Sequence, residues 1–200
     1  MPKPAKIDPA ASARSDARHL RVMVRVWDPF VRLFHWSLVS SFIIAWFSPV
    51  SAVALHHWAG YAAAGLVLLR VIWGVAGTPY ARFSQFVKSP RTVLRYLADI
   101  LTGREARYIG HNPAGGAMIL ALMAAMMTAT VSGYMMTTDR YFGIDWVESF
   151  HFISVHALLL MVGIHLLGVV LASLRHRENL VRAMISGFKR APDRDSDEHR

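Results

Sequence analysis

The chain contains no cysteine, and that absence removes disulfides, thiolate metal centres, cysteine-held iron-sulfur clusters and the Cys-x-x-Cys-His attachment of covalent haem. Charged residues are scarce as well, at 18% of 200 residues against 54% hydrophobic ones, with a mean hydropathy of +0.32. An ordinary soluble domain carries more charge and breaks its apolar runs more often. Acidic residues are the scarcest, 13 against 22 Lys and Arg. A net charge of +9 can mark a nucleic-acid binder, but here its placement follows membrane topology, so no nucleic-acid partner is expected. Residues 1–25 lack the short apolar core and cleavage site of a secretory signal and read as a flexible cytoplasmic tail. The alternation that a membrane barrel requires is also missing.

What is present is four long apolar runs, at residues 33–50, 55–76, 114–137 and 150–174, each near or above the roughly 18 to 20 residues that span a bilayer. Lipid offers no partner to a free backbone amide, so the runs predict helices. The expected fold is all-α: an integral membrane four-helix bundle over residues 26–174, followed by a basic cytoplasmic tail over 175–200. Arg14, Arg18, Arg21, Arg25 and Arg32 precede the first run, Arg82 to Arg107 crowd the link after the second, and Arg175 to Arg190 follow the fourth. The links on the other side are short, and in one of them Arg140 is outnumbered by Asp139, Asp145 and Glu148. Both termini are therefore expected in the cytoplasm, with the two small loops outside.

Between the second and third runs, Ser89 reads as an N-cap, Pro90 as the first helical residue and Gly103 as the stop, with Val93, Leu94, Leu97 and Leu101 at helical spacing. This predicts a short basic amphipathic helix on the cytoplasmic surface, read first as a linker that only covers the bundle and second as a docking element.

Four histidines occupy the runs in a pattern that suits two flat metal cofactors. His151 and His165 are 14 residues apart on the fourth run, about 21 Å along a helix and within about 40° of one face. They cannot serve one site, but they can serve two at different depths. The topology supplies partners: His35 enters from the cytoplasmic side and meets the depth of His165, while His56 begins its span on the outer side, as does His151. A haem iron with imidazole on both axial positions has no vacancy for oxygen and suits electron transfer. Two b haems, noncovalently bound, are thus the expected cofactors. His57 is the rival for the outer ligand, with Gly60, one turn from His56, favouring His56 by leaving room for a flat ring. Gly133 and Gly163 make similar room or merely let helices pack closely. His156 lies on another face and reads as a packed side chain. Arg70 and Arg32 either pair a haem propionate or snorkel to the headgroups. The third-run methionines read as flexible packing. Zinc is a contender, although no carboxylate in the spans accompanies either pair.

The motifs resemble the bacterial cytochrome b561 family, in particular the branch containing the b-type cytochrome subunits of nickel-iron hydrogenases. The resemblance rests on Val26-Trp27-Asp28-Pro29 with Arg32 and His35-Trp36, on Leu55-His56-His57-Trp58-Ala59-Gly60 leading to Arg70-Val71-Ile72-Trp73-Gly74, on Ser89-Pro90-Arg91 and Gly110-His111-Asn112-Pro113, and on His176-Arg177-Glu178-Asn179-Leu180 with Gly187 and Lys189. It implies a four-helix cytochrome of the bacterial inner membrane with two b haems, held by one histidine on each of the first two helices and two on the fourth. Those positions match His35, His56, His151 and His165. It further implies ubiquinone or menaquinone as exchanging substrate, and a c-type cytochrome, hydrogenase or dehydrogenase subunit as redox partner. Phe152 stands where relatives often carry Glu, which puts any role of that acid in doubt.

The leading expectation is a dihaem b-type cytochrome passing electrons across the membrane between the quinone pool and a partner protein. Superoxide to quinone oxidoreductase is the alternative, disfavoured by the acidic outer loop. A nonredox anchor or metal-binding membrane protein is the second alternative. Arg104, Tyr108 and His111 are the candidates for a cytoplasmic quinone site.

Overall fold

The computed structural model describes residues 23–106, 108 and 110–190. Its four long helices are α1 (Pro29–Phe47), α2 (Val53–Ala76), α5 (Pro113–Met135) and α6 (Asp145–Arg175). Between α2 and α5 lie the single turn α3 (Phe83–Phe86) and the helix α4 (Pro90–Thr102); α7 (Leu180–Ser186) follows α6. All four long helices have the length and apolarity to cross a bilayer. Their apolar side chains are largely exposed, among them Leu160, Leu166, Leu167 and Val170 of α6, as a surface turned to lipid requires.

Local chemistry sets the helix ends. Asp28 caps α1, its carboxylate accepting from the Val31 amide at 2.8 Å, and Pro29 occupies the position where a missing N–H costs nothing. Asn112 caps α5 in the same way through the Gly115 amide. Ser89, Pro90 and a left-handed Gly103 bound α4 as the sequence predicts. At 31 residues, α6 begins five residues before its apolar run, because Asp145 and Glu148 in its first turn oppose the helix dipole favourably.

In the bundle α1 packs on α2, α2 on α5 and α5 on α6. Extensive packing between α1 and α6 is absent among the described residues. The principal core joins Ala63 and Val67 of α2 to Met123, Met126 and Ala129 of α5 and Leu158 of α6. Met123 and Met126 are thus packing residues, since an unbranched thioether fills irregular gaps.

A two-stranded antiparallel ribbon, absent from the sequence expectations, joins β1 (Met23–Arg25) to β2 (Phe188–Arg190), with Met23 opposite Arg190. The Val26 and Trp27 amides continue it by donating to the Gly187 carbonyl at 2.9 and 3.1 Å. Of the expected N-terminal tail, residues 1–22 lie outside the described residues, and Met23–Arg25 form the strand. Of the expected C-terminal tail, α7 and β2 are ordered elements and residues 191–200 lie outside the described residues. Val26, Trp27, Val31, Ala81 and Ala183 make a second core beneath the ribbon.

Candidate functional site

The structure brings His56 and His151 together and sets His35 within electrostatic reach of His165. At the end of the bundle where α2 and α6 begin, the His56 and His151 rings lie 6.3 Å apart between centroids, with planes at 83°. A metal bound by two imidazoles at roughly 2 Å from each nitrogen would set the ring centres about 6 Å apart. Each ring is turned by its other nitrogen. His56 Nδ1 donates to the Ala45 carbonyl of α1 at 2.8 Å. His151 Nδ1 lies 3.0 Å from both the Ala129 carbonyl and the Ser132 hydroxyl of α5. Ser132 itself donates to the Ala129 carbonyl, so its oxygen is free to accept from the ring. Both Nε2 atoms are left for a ligand role, the arrangement that fixes tautomer and orientation in histidine-ligated metal sites.

His57 instead lies 6.4 Å from the Tyr61 ring. Gly60 faces open space, with nothing within 4 Å of a Cβ placed there, and Gly163 does the same on α6. Gly133 departs from expectation: a Cβ there would stand 2.9 Å from His151 Cε1, so this glycine makes room for the imidazole rather than for a flat ring. His156 donates from Nδ1 to the Phe152 carbonyl, and its ring lies 4.0 Å from Phe152 and 5.7 Å from Trp46 of α1. It is an exposed side chain bonded within its own helix, and Phe152 shares its exposed surroundings.

Towards the other end, His35 and His165 are close enough to interact electrostatically. His35 packs edge-on against Trp36 at 5.1 Å, while its buried Nδ1 has no hydrogen-bond partner among the described residues. Arg70 is 14 residues beyond His56 on α2, about 21 Å further along and near the same face. It is only 2% exposed, which excludes snorkelling. One of its nitrogens donates to the Ala81 carbonyl at 2.9 Å, and the guanidinium lies over Phe83 and Phe86. The other terminal nitrogen is buried without a partner, as is Arg32 Nε. Unpaired buried cationic donors are costly, and carboxylates are the groups that suit them.

Beneath this end, Asp28 receives hydrogen bonds from Thr78, Trp73 and Val31. Burial opposes its ionisation, but those bonds outweigh it and hold the carboxyl below its usual range. His111 sits between the Trp27 and Phe86 rings at 4.5 and 4.9 Å. Burial, aided by Arg70 and Lys189, pushes it down to about 3, so it is neutral. Tyr108 lies against Tyr96 and Arg104 is exposed. The three candidates for a quinone site therefore have separate surroundings. The sequence reading missed Asp28, Ser132 and the Ala45 and Ala129 carbonyls as supports. A hydroxyl beside a glycine in an apolar run was the available signal for Ser132.

The residues fit b-type haem: two histidine rings 6.3 Å apart with their Nδ1 atoms tied back, open space at Gly60 and Gly163, and buried cationic donors suited to propionates. Among the described residues no three His, Cys, Asp or Glu side chains converge as a metal cluster. The family model for prokaryotic cytochrome b561 matches residues 26–187. A probable Ni/Fe-hydrogenase B-type cytochrome subunit of Rhizobium leguminosarum is 24% identical, over 93% of this chain and 97% of its own length. The subunit of the same name in Bradyrhizobium diazoefficiens is 25% identical over 92% and 93%, and that of Cupriavidus necator 25% over 69% and 67%. No solved structure gives a significant match.

Proposed function

The chain belongs to the prokaryotic cytochrome b561 family, and from that premise we propose that it carries electrons across the bacterial inner membrane on two b haems, one ligated by His56 and His151 and the other by His35 and His165. The observation that carries this reading is the 6.3 Å facing geometry of His56 and His151 with both Nδ1 atoms tied back. Haem iron supplies reversible one-electron chemistry when bound, and two imidazoles leave it no position for oxygen. The protein's part is to bind, orient and exclude. Ala45, Ala129 and Ser132 orient the outer imidazoles, and Gly133 gives His151 its place. Arg70 and Arg32 offer their unpaired nitrogens to propionates at the inner site. The apolar flanks of α1, α2 and α6 keep both centres out of water.

The β1–β2 ribbon supports a common side for both ends of the described chain, as an even number of spans requires. The arginine-rich links support the cytoplasm as that side. His56 and His151 then mark the outer site, and His35 and His165 the inner one. The three relatives named as hydrogenase cytochrome subunits support a nickel-iron hydrogenase as the redox partner; the quinone pool is the other partner in this proposal. Asp139, Asp145 and Glu148 on the outer side would repel an anionic substrate such as superoxide.

A reduced-minus-oxidised spectrum with haem quantitation on the purified protein and on His35→Ala, His56→Ala, His151→Ala and His165→Ala tests this. Two low-spin b haems are expected. His56 and His151 variants should disturb one of them, and His35 and His165 variants the other. A chain that binds no haem, or variants with unchanged spectra, would overturn the reading.

A further inference from the structure

The helix α4 lies outside the four spans, against the start of α5, and carries an apolar face that nothing among the described residues covers. Leu94, Leu97 and Leu101 are 66%, 43% and 87% exposed and follow one another at i, i+3 and i+7, one stripe of a helix. Tyr96 holds the opposite side to the protein: it is buried, its hydroxyl donates to the Ala106 carbonyl at 3.4 Å, and its ring meets Tyr108. Arg175, at the end of α6, fixes the rotation of the helix. Its guanidinium donates to the Ile100 carbonyl at 2.8 Å and to Glu105 at 2.7 Å. The leucine stripe therefore faces outward by construction.

The charges beside the stripe decide what meets it. Arg91 and Arg95 are exposed and stand about 60° and 100° round from Leu94, and exposed Lys88 precedes the helix. Asp99, half-buried, is the one acidic residue of α4. An apolar stripe bordered along one side by cations, set level with the ends of two spans, matches a surface with anionic headgroups above hydrocarbon. We propose that α4 is an anchor for anionic phospholipid, with Leu94, Leu97 and Leu101 immersed in the leaflet and Arg91 and Arg95 paired to headgroup phosphates.

The absence of cysteine makes the test direct. A spin label is placed on Leu97→Cys, or on Thr102→Cys about 140° round the helix, in the full haem-loaded protein in nanodiscs of phosphatidylglycerol or of phosphatidylcholine. In phosphatidylglycerol the Leu97→Cys label should be shielded from a water-soluble nickel chelate and relaxed by oxygen, and the Thr102→Cys label the reverse. The shielding should weaken in phosphatidylcholine, and Arg91→Gln with Arg95→Gln should weaken it in phosphatidylglycerol to the same level. Equal chelate access at the two labels, or equal shielding in the two lipids, overturns the proposal. Shielding that arises only on adding a hydrogenase also overturns it and assigns the stripe to a protein partner. The haem spectrum of the same discs reads the cytochrome assignment separately.

Discussion

The outer and inner histidine pairs differ in how much of each site the protein completes by itself. At the outer pair, both imidazoles are tied by Nδ1 to main-chain carbonyls, and a glycine is cut away for one ring. Towards the other end, His35 Nδ1 is buried and unpartnered among the described residues, and Arg32 and Arg70 keep unpaired buried nitrogens. One site is preorganised in the polypeptide, while the other holds polar groups left without partners among the described residues, which the proposed ligand would supply. Preorganised imidazoles lose little freedom when iron binds. Unpaired buried donors destabilise the empty fold and are relieved on binding. Outer substitutions should therefore act on haem retention, and inner ones on the stability of the whole protein as well.

The sharpest way to break the comparison is Gly133→Leu. Its Cβ enters the 2.9 Å space beside His151, so the outer haem should be lost or turned high-spin while the inner spectrum persists. Gly163→Ala, which meets nothing within 4 Å, should leave the haem-free fold unchanged in circular dichroism. Arg70→Leu comes next. It removes a charged hydrogen bond to the Ala81 carbonyl and should cost about 3 kcal/mol in thermal or denaturant unfolding. The inner haem should loosen and the outer one stay.

Acid should also separate the two ends. The pKa of His111 is depressed in the fold from 6.5 to about 3, so the unfolded chain binds the extra proton between those values. Its contribution is complete above about pH 6.5 and falls as pH drops toward 3, by about 1.4 kcal/mol per unit at most. A pH series of melting temperatures should show this slope, reduced in His111→Phe. The smallest effect is expected for Ser132→Ala. It removes one of two acceptors for His151, at a cost of about 1 kcal/mol, and should weaken outer haem retention roughly fivefold. Haem transfer to apomyoglobin would measure it.

The four spans and the closeness of His56 to His151 were legible because both depend on period and depth, which a linear sequence encodes directly. Helix α4 was legible to the residue, since Ser89, Pro90 and Gly103 act on neighbours. What stayed hidden depends on distant partners. Asp28 finds Trp73 and Thr78 across 45 and 50 residues, and Ala45 is recognisable as a support for His56 only once α1 and α2 are packed. Gly133 was visible as space, but which ring takes that space is a matter of packing. Arg70 shows the same limit: its position in the span was plain, its bond to Ala81 was not.

The ribbon between Met23–Arg25 and Phe188–Arg190 also sets an order of events during synthesis. Its second strand emerges from the ribosome only after all four spans have been made. The first span can be inserted early, yet the backbone bonds that seat its N-terminal end must wait for the last described residues. A chain stalled before Phe188 would hold every proposed haem ligand and still lack the closure of its own beginning.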